Sequence, residues 1–346
     1  MATSSGAGAV ASDVPGIIVD CDAGIDDAQA LFAVLRAQEK GLVRLLAIIC
    51  TAGNCGIESV IGNVCAVLEA FGGPAAGAVR VFVGASRPLV AKPAASAEEW
   101  MGADGLGGCG YGAAASRKCV DVSCTGAVAL LQILRVEEEG GRSPPVLLLL
   151  GPCSTLALAL RLGVAGEVEK RVGRLVVMGG AVEARGNSTA TAEFNIMADP
   201  EAAAIVFRTQ WATAVLIPWE LTTRSGLPPI TVAHWLNANT PRSKWLGAVS
   251  AFLIAASSTV EPAAFARKGF FIPDPLAAVA ALRPDAIVKS KLVGICVELQ
   301  GTYTRAMTVV DWGGRFVCDA PRCWNVVHEM NALVIAQTLI DSIAER

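Results

Sequence analysis

Asp20, Asp22, Asp26 and Asp27 crowd into eight residues of the segment IIVDCDAGIDDAQALFAVL, where an apolar run gives way to an amphipathic one. Carboxylates gathered at the C-terminal end of a buried strand repel one another unless something positive offsets them. A hard divalent cation does this with oxygen ligands alone, without His or Cys. The plainer alternative is that Asp26 and Asp27 decorate a helix N-terminus, where acids complement the helix dipole. Other polar residues recur where later apolar runs stop. Thr51-Ala52-Gly53-Asn54 follows one run, and Gly151-Pro152 follows another that ends on the Leu150 carbonyl. Asn187, Glu193 and Asn195 follow a third, and Asp274 sits between two prolines in FFIPDPLAAVAAL. Singly these read as turns or caps. Together they mark a site, because ligands of an open α/β sheet bind outside the carboxyl ends of its strands.

The elements that must position these groups are legible as alternating apolar runs and helical periods. Strands are expected at Gly16 to Asp20, Val43 to Cys50, Val79 to Val83, Val146 to Leu150, Arg174 to Met178 and Ala214 to Pro218. Helices are expected at Asp26 to Gln38, Ile57 to Phe71, Cys124 to Glu138, Ser154 to Leu162 and Pro200 to Phe207. This alternation predicts an α/β fold: an open, mostly parallel sheet with helices on both faces. The Gly- and Ala-rich stretch from Ala85 to Ser116 reads as a long irregular excursion, and such excursions are often binding loops or lids. Trp219 to Ala264 is helical and polar-faced; together the two insertions are expected to roof the site. Strand pattern returns from Ala286 to Val310. No repeat or linker divides the chain, so residues 16–346 are expected to form a single domain behind a disordered N-terminal tail, residues 1–15.

The 346 residues are 53% hydrophobic and 17% charged, which supplies a large core. A net charge of -3 leaves no electrostatic footprint for nucleic acid or an anionic membrane. The apolar stretch Val146 to Leu160 is broken by Gly151-Pro152 and is too short to span a bilayer comfortably. The beginning of the chain lacks the features of a secretory signal, and its final Ala-Glu-Arg is not a peroxisomal address. Eleven cysteines lie in apolar contexts without zinc spacing, Cys318 and Cys323 included. They are expected to be mostly reduced thiols in a cytoplasmic protein.

The motifs resemble those of the nucleoside hydrolases, the nucleoside N-ribohydrolases, whose hallmark is D-x-D-x-G-x-D-D. Here it reads Asp20-Cys21-Asp22-Ala23-Gly24-Ile25-Asp26-Asp27, with alanine at a position usually proline. LLLLGPCSTLALAL is similar to the family's strand-Gly-Pro-helix element, and VVMGGAVEARGNSTATAEFNIMADPEAA to its central block. DGLGG, Glu220-Leu221-Thr222 and Asp274-Pro275-Leu276-Ala277 complete the correspondence in order, from about Gly16 to the C-terminus.

The resemblance implies a nucleoside hydrolase fold with a Rossmann-like core, Ca2+ as cofactor and a ribonucleoside as substrate. It places Asp22, Asp27, Asp274 and the Leu150 carbonyl at metal-ligand positions. Asp22 also falls on the general-base position, accepting a proton from the attacking water. Asp26 would hold ribose hydroxyls; Asn187, Glu193 and Asn195 would fix the sugar from the other side. Met178 would pack near the 5′ end, Asn54 would join the same shell, and Asp20 would orient these groups from behind. Asp274 would share the diol with the metal. A homodimer or homotetramer is expected from the resemblance alone.

Two departures bear on the leaving group. Many members carry His immediately before the last metal-ligand Asp, where this chain has Pro273. Many also have a His in the early loop, where Trp100-Met101 stand here. Only His234 and His328 exist in the chain, and both read as structural. Aromatics can substitute by stacking on a purine as it gains a proton at N7, which singles out Trp100, Phe270 and Phe271. Tyr303 and Arg305 are further candidates to reach the base. The expectation is calcium-dependent hydrolysis leaning towards inosine and guanosine. The alternatives are a catalytically silent nucleoside- or ribose-binding relative and an Asp-based phosphatase.

Overall fold

The computed structural model describes residues 14–90, 92, 97–260, 269–315 and 324–345. Most of the expected tail, residues 1–13, lies outside the described residues, as do Cys318, Cys323 and the final Arg346. Val14 and Pro15 are held by Arg44, which donates from Nε to the Val14 carbonyl and from its backbone N–H to the Pro15 carbonyl.

Ten strands form one sheet among the described residues. They are β1 (Gly16–Cys21), β2 (Arg44–Cys50), β3 (Val81–Val83), β4 (Val120–Asp121) and β5 (Val146–Leu149). β6 (Arg174–Met178), β7 (Ala214–Ile217), β8 (Ile287–Val297), β9 (Thr308–Asp311) and β10 (Trp324–Met330) complete it. The order is β4-β3-β2-β1-β5-β6-β7-β10-β8-β9. Every pair from β4 to β10 is parallel, while β8 and β9 add antiparallel to that edge. The chain winds outward from β1 to β4 and returns to place β5 beside β1. That reversal creates a crevice at the carboxyl ends of β1 and β5, the topological switch point where such sheets bind ligands.

The period-2 pattern of the central strands loads both faces. Ile17, Val19 and Cys21 pack with the helices Ile25–Glu39, Ile57–Phe71, Pro273–Leu282 and Ala332–Ser342. Ile18, Leu147 and Leu149 pack on the opposite side with Gly126–Glu139, Ser154–Leu162 and Pro200–Arg208. Near-continuous apolar strands are what burial on both faces requires. β4 and β10 were not expected. β4 is two residues long, and β10 carries Asn325, His328 and Glu329 within its apolar pattern. The two insertions hold short helices at Glu98–Met101 and Tyr111–Ala114, then Trp219–Arg224 and Pro229–Leu236, followed by the long helix Pro241–Val260.

Candidate active site

β1 carries Asp20 to the sheet edge, and the turn that follows presents Asp22. Ala23 takes a φ of 48°, which non-glycine residues seldom adopt. Asn63 steadies this turn by donating from Nδ2 to the Ala23 carbonyl at 3.1 Å and to the Asp104 carbonyl at 2.8 Å. Gly24 then caps the helix Ile25–Glu39, whose first turn holds Asp26 and Asp27. The Gly24 N–H donates to Asp27 Oδ2 at 2.8 Å, so one Asp27 oxygen is consumed by the cap.

Asp22 is wholly buried and gripped by one residue. Asn54 donates its backbone N–H to Oδ2 at 2.7 Å and its side-chain amide to Oδ1 at 2.9 Å. The same amide lies 3.3 Å from Asp27 Oδ2. Glycine at position 53 makes this possible, because a Cβ there would sit 2.0 Å from Asp22 Oδ2. Asp20 faces the layer behind. Thr51 Oγ1 donates to its Oδ1 at 2.5 Å and contacts Thr155 Oγ1 at 2.6 Å. Thr155 in turn accepts the Ala85 N–H at 2.9 Å.

Asp274 arrives from the far end of the chain, in the first turn of the helix Pro273–Leu282. Asp27 lies within hydrogen-bonding reach of both Asp22 and Asp274. Ligand oxygens of Asp26, Asp27 and Asp274 fall within 4.8 Å of one another. Burial, reinforced by the neighbouring acids, raises the pKa of Asp22 and Asp274 well above the carboxylate range and pushes Asp26 up to about 8. Burial alone does most of the same to Asp20, also brought to about 8. Among the described residues no Lys or Arg forms an ion pair with this group. Asp26 Oδ1 and Asp27 Oδ1 are buried without any hydrogen-bond partner. Orphaned oxygens in a cluster of like charges call for a cation. An all-oxygen donor set suits a hard divalent ion.

The opposite wall is built around Glu193. Its carboxylate accepts the N–H groups of Asn195, Ile196 and Gly180, capping the helix Phe194–Ala198 and pinning the loop after β6. Burial raises its pKa against those hydrogen bonds. Asn195 donates from Nδ2 to the Leu150 carbonyl at 2.7 Å and to the Met178 carbonyl at 3.3 Å. A carbonyl has two lone pairs, so Leu150 retains capacity for a second partner. Asn187 is exposed and accepts the Phe194 N–H at 2.8 Å.

Above the acids opens a cavity of about 450 Å³. Asp26, Asn54, Leu150, Met178, Asn187, Glu193, Asn195, Asp274, Trp100 and Phe271 all line it. Asp22, Asp27 and Asp20 lie beneath, fully or almost fully buried. The structure excludes other candidates. Phe270 is core, exchanging backbone hydrogen bonds with Leu227 at 2.8 and 2.9 Å. Tyr303 is 87% exposed, and Arg305 is turned to Glu201 at 2.7 Å. His234 is on the surface, and His328 lies against Trp312 on β10, outside the cavity.

Sequence reasoning missed several lining residues. Trp219 follows the end of β7 and meets Phe271 edge-on, ring centroids 6.4 Å apart. The strand-end argument applied to β7 would have found it. Leu253 and Ser257 reach the cavity from one face of the helix Pro241–Val260, four residues apart, with no motif to announce them. Glu220 supports the site from outside, accepting the Val182 and Glu183 N–H groups at 3.0 and 2.8 Å.

Comparison with known proteins is consistent across sequence and fold. A family model described as inosine-uridine preferring nucleoside hydrolase matches residues 17–337. The pyrimidine-specific ribonucleoside hydrolase RihA of Enterobacter sp. (strain 638) is 31% identical over 300 residues, covering 86% of this chain and 88% of that protein. The non-specific ribonucleoside hydrolase RihC of Shigella dysenteriae serotype 1 is 32% identical over 298 residues, with the same coverage of each. Among solved structures, an inosine-guanosine nucleoside hydrolase superposes with a TM-score of 0.80 at 27% identity, covering 95% of this chain and 98% of that one.

Proposed function

Since the chain belongs to the inosine-uridine preferring nucleoside hydrolase family and is a nucleoside N-ribohydrolase, we propose that it is a calcium-dependent enzyme that leans towards purine ribonucleosides, inosine and guanosine above all. Family membership removes the phosphatase alternative. The observation that carries the proposal is the buried acid cluster, with its partnerless Asp26 and Asp27 oxygens, beneath a cavity of small-ligand size.

Asp22, Asp27, Asp274 and the Leu150 carbonyl would hold the ion. When bound, it would supply Lewis acidity to the attacking water and a grip on the ribose cis-diol. The side chains do the rest. Asp22, fixed by Asn54, takes the proton from the attacking water. Departure of the base leaves positive charge on the ribosyl ring, which the carboxylates below stabilise. Asp26 and Asn195 face the sugar from opposite walls, Glu193 sets the height of the second wall, and Met178 packs at the 5′ end. Asn187 closes the sugar subsite from the loop side, and Asp20, bonded to Thr51, orients the acids from behind.

The purine preference rests on the rim. Trp100, Trp219 and Phe271 offer ring faces and edges around the cavity mouth, and Pro273 offers no proton. A purine stacked among rings gains its proton at N7 from water and leaves neutral. The structural neighbour described as inosine-guanosine hydrolase supports this reading. The single-domain organisation of residues 16–346 is supported by one continuous sheet and by a family match spanning residues 17–337. We further assign the enzyme to the cytoplasm, which the thiols among the described residues favour, and expect a homodimer or homotetramer. No helix among the described residues is long and apolar enough to cross a membrane.

Ribose release from inosine, guanosine, adenosine, xanthosine, uridine and cytidine, run beside metal analysis of the purified protein, tests the whole reading. Inosine or guanosine should lead, with calcium bound. Uridine hydrolysed faster than inosine would overturn the purine preference, and full activity in a strong chelator would overturn the metal.

A further inference from the structure

Cys65 and Cys119 lie outside the lining of the cavity, one on the helix Ile57–Phe71 and the other on the turn that follows the first insertion. Their Sγ atoms are 3.4 Å apart, one thiol donating to the other. Cys65 is on the buried face of the helix Ile57–Phe71, 1% exposed, whereas Cys119 is half-buried at the end of the 3-10 turn Arg117–Cys119. The segment bearing Cys119 is already clamped to that helix on either side of the thiols. Arg117 pairs with Glu58 at 2.5 Å, and the Ser116 N–H donates to Glu69 Oε1 at 2.8 Å. Backbone also meets backbone there, since a Cβ on Gly62 would lie 2.4 Å from the Gly112 carbonyl oxygen. The two sulfurs are therefore held in mutual contact by groups other than themselves. A disulfide bond of about 2.0 Å needs only a small approach of the sulfurs from here.

We propose that Cys65 and Cys119 form a reversible disulfide that fastens the rim-bearing excursion to the helix Ile57–Phe71. The oxidant is a peroxide. Cys119 thiolate attacks one peroxide oxygen, the O–O bond breaks, and Cys119 becomes a sulfenic acid as hydroxide leaves and takes a proton to become water. The Cys65 sulfur then attacks the sulfenic sulfur; the S–O bond breaks, a second water leaves with the Cys65 proton, and the S–S bond forms. Two thiols have given two electrons, and the peroxide has been reduced to water. The division of labour follows the surroundings. Cys119 is the more exposed, and the hydrogen bond it shares with Cys65 lowers its pKa, which favours thiolate. Cys65 shifts the opposite way, chiefly through the same hydrogen bond and then through burial, as suits a resolving thiol.

The bond would join residues 54 apart in sequence. Trp100 and Met101, which line the cavity, lie within that span, as does the Asp104 turn that Asn63 holds from the helix. Oxidation thus tightens the rim without touching the acids.

The test treats the folded protein with hydrogen peroxide at neutral pH, alkylates remaining thiols, digests it and maps cross-links by mass spectrometry, with melting temperature read in parallel. A Cys65–Cys119 peptide should be the first cross-link to appear. It should vanish on reduction with dithiothreitol, be absent in Cys119→Ser, and accompany a rise in melting temperature that Cys119→Ser does not show. Cys119→Ser is preferred to Cys65→Ser because its half-exposed position tolerates the hydroxyl. Cys119 advancing to sulfinic acid while Cys65 stays alkylatable would overturn the proposal. So would a dominant cross-link between any other cysteines, the nearby Cys50 included.

Discussion

The floor of the cavity is set by strand ends and carries unmet charge, whereas its rim is set by inserted segments and filled with neutral rings. Asp22 comes from the turn after β1, Asp26, Asp27 and Asp274 come from the first turns of two helices, and each is buried. The protein gives them no cationic partner among its described residues. Trp100, Trp219 and Phe271 come from three different connections and are only partly buried. Crowded, buried like charge has few solutions, so the floor tolerates little change. Ring stacking is adaptable, so the rim can vary while the reaction stays the same. The relatives' names span pyrimidine-specific, non-specific and inosine-guanosine hydrolases.

The contrast breaks most severely if the floor proves replaceable. Asp22→Ala should reduce ribose release by roughly a hundred- to ten-thousandfold, the range expected for loss of a general base. Nucleoside binding, measured by calorimetry, should fall far less. Near-normal turnover by this variant would remove Asp22 from the chemistry and leave the floor as a mere anchor.

The floor also predicts an unusual pH dependence for metal-free protein. Asp20 and Asp26 have folded pKa values near 8 against an ordinary value of 3.8, so between those limits the folded state binds more protons than the unfolded one. The stability these two groups contribute is therefore fully present below about 4, falls as pH rises through that window, and is gone above about 8. Melting temperature in EDTA should decline from pH 5 to pH 8, and saturating calcium should abolish most of the decline. A melting temperature that climbs with pH in EDTA would show that the acids are compensated by something other than a cation.

Changes to the rim should be gentler and selective. Trp100→Ala and Phe271→Ala should each cost about 1 kcal/mol of transition-state stabilisation on inosine, roughly fivefold in kcat/KM, and less on uridine. An equal loss on both substrates would mean that the rings shape the cavity generally and do not read the base.

This difference also explains what could be read from the chain alone. The acids were legible because capping and dipole effects explain one or two carboxylates at a strand-to-helix turn but hardly four, and Asp274 because it sits at the start of another helix on the same sheet edge. The parallel core followed from apolar runs such as LLLL at residues 147–150. The rim was only half legible. Phe270 and Phe271 are adjacent in sequence, yet a single backbone bridge to Leu227 sends Phe270 into the core and leaves Phe271 at the cavity. No periodicity encodes that choice. Leu253 and Ser257 depend on how a twenty-residue helix lies across the sheet edge, which is a tertiary matter. β10 was obscured by polar residues on a strand whose exposed positions tolerate them.

The smallest expected effect is the sharpest check on how the base departs. His328 lies against Trp312 among Arg224, Lys289 and Lys291, and burial with those positive neighbours lowers its pKa. His234 is exposed on the helix Pro229–Leu236. Neither lines the cavity, and these are the chain's two histidines. His234→Ala and His328→Ala should therefore leave kcat on inosine within about twofold of the parent. The double variant should show the same pH-rate profile. If either substitution removed an acidic limb from that profile, a histidine would have to reach the base by a rearrangement of β10 or of the second insertion. The division between a charged floor and an adaptable rim would then need a third, mobile element. Unchanged profiles would instead place the burden of leaving-group departure on the rings and on water.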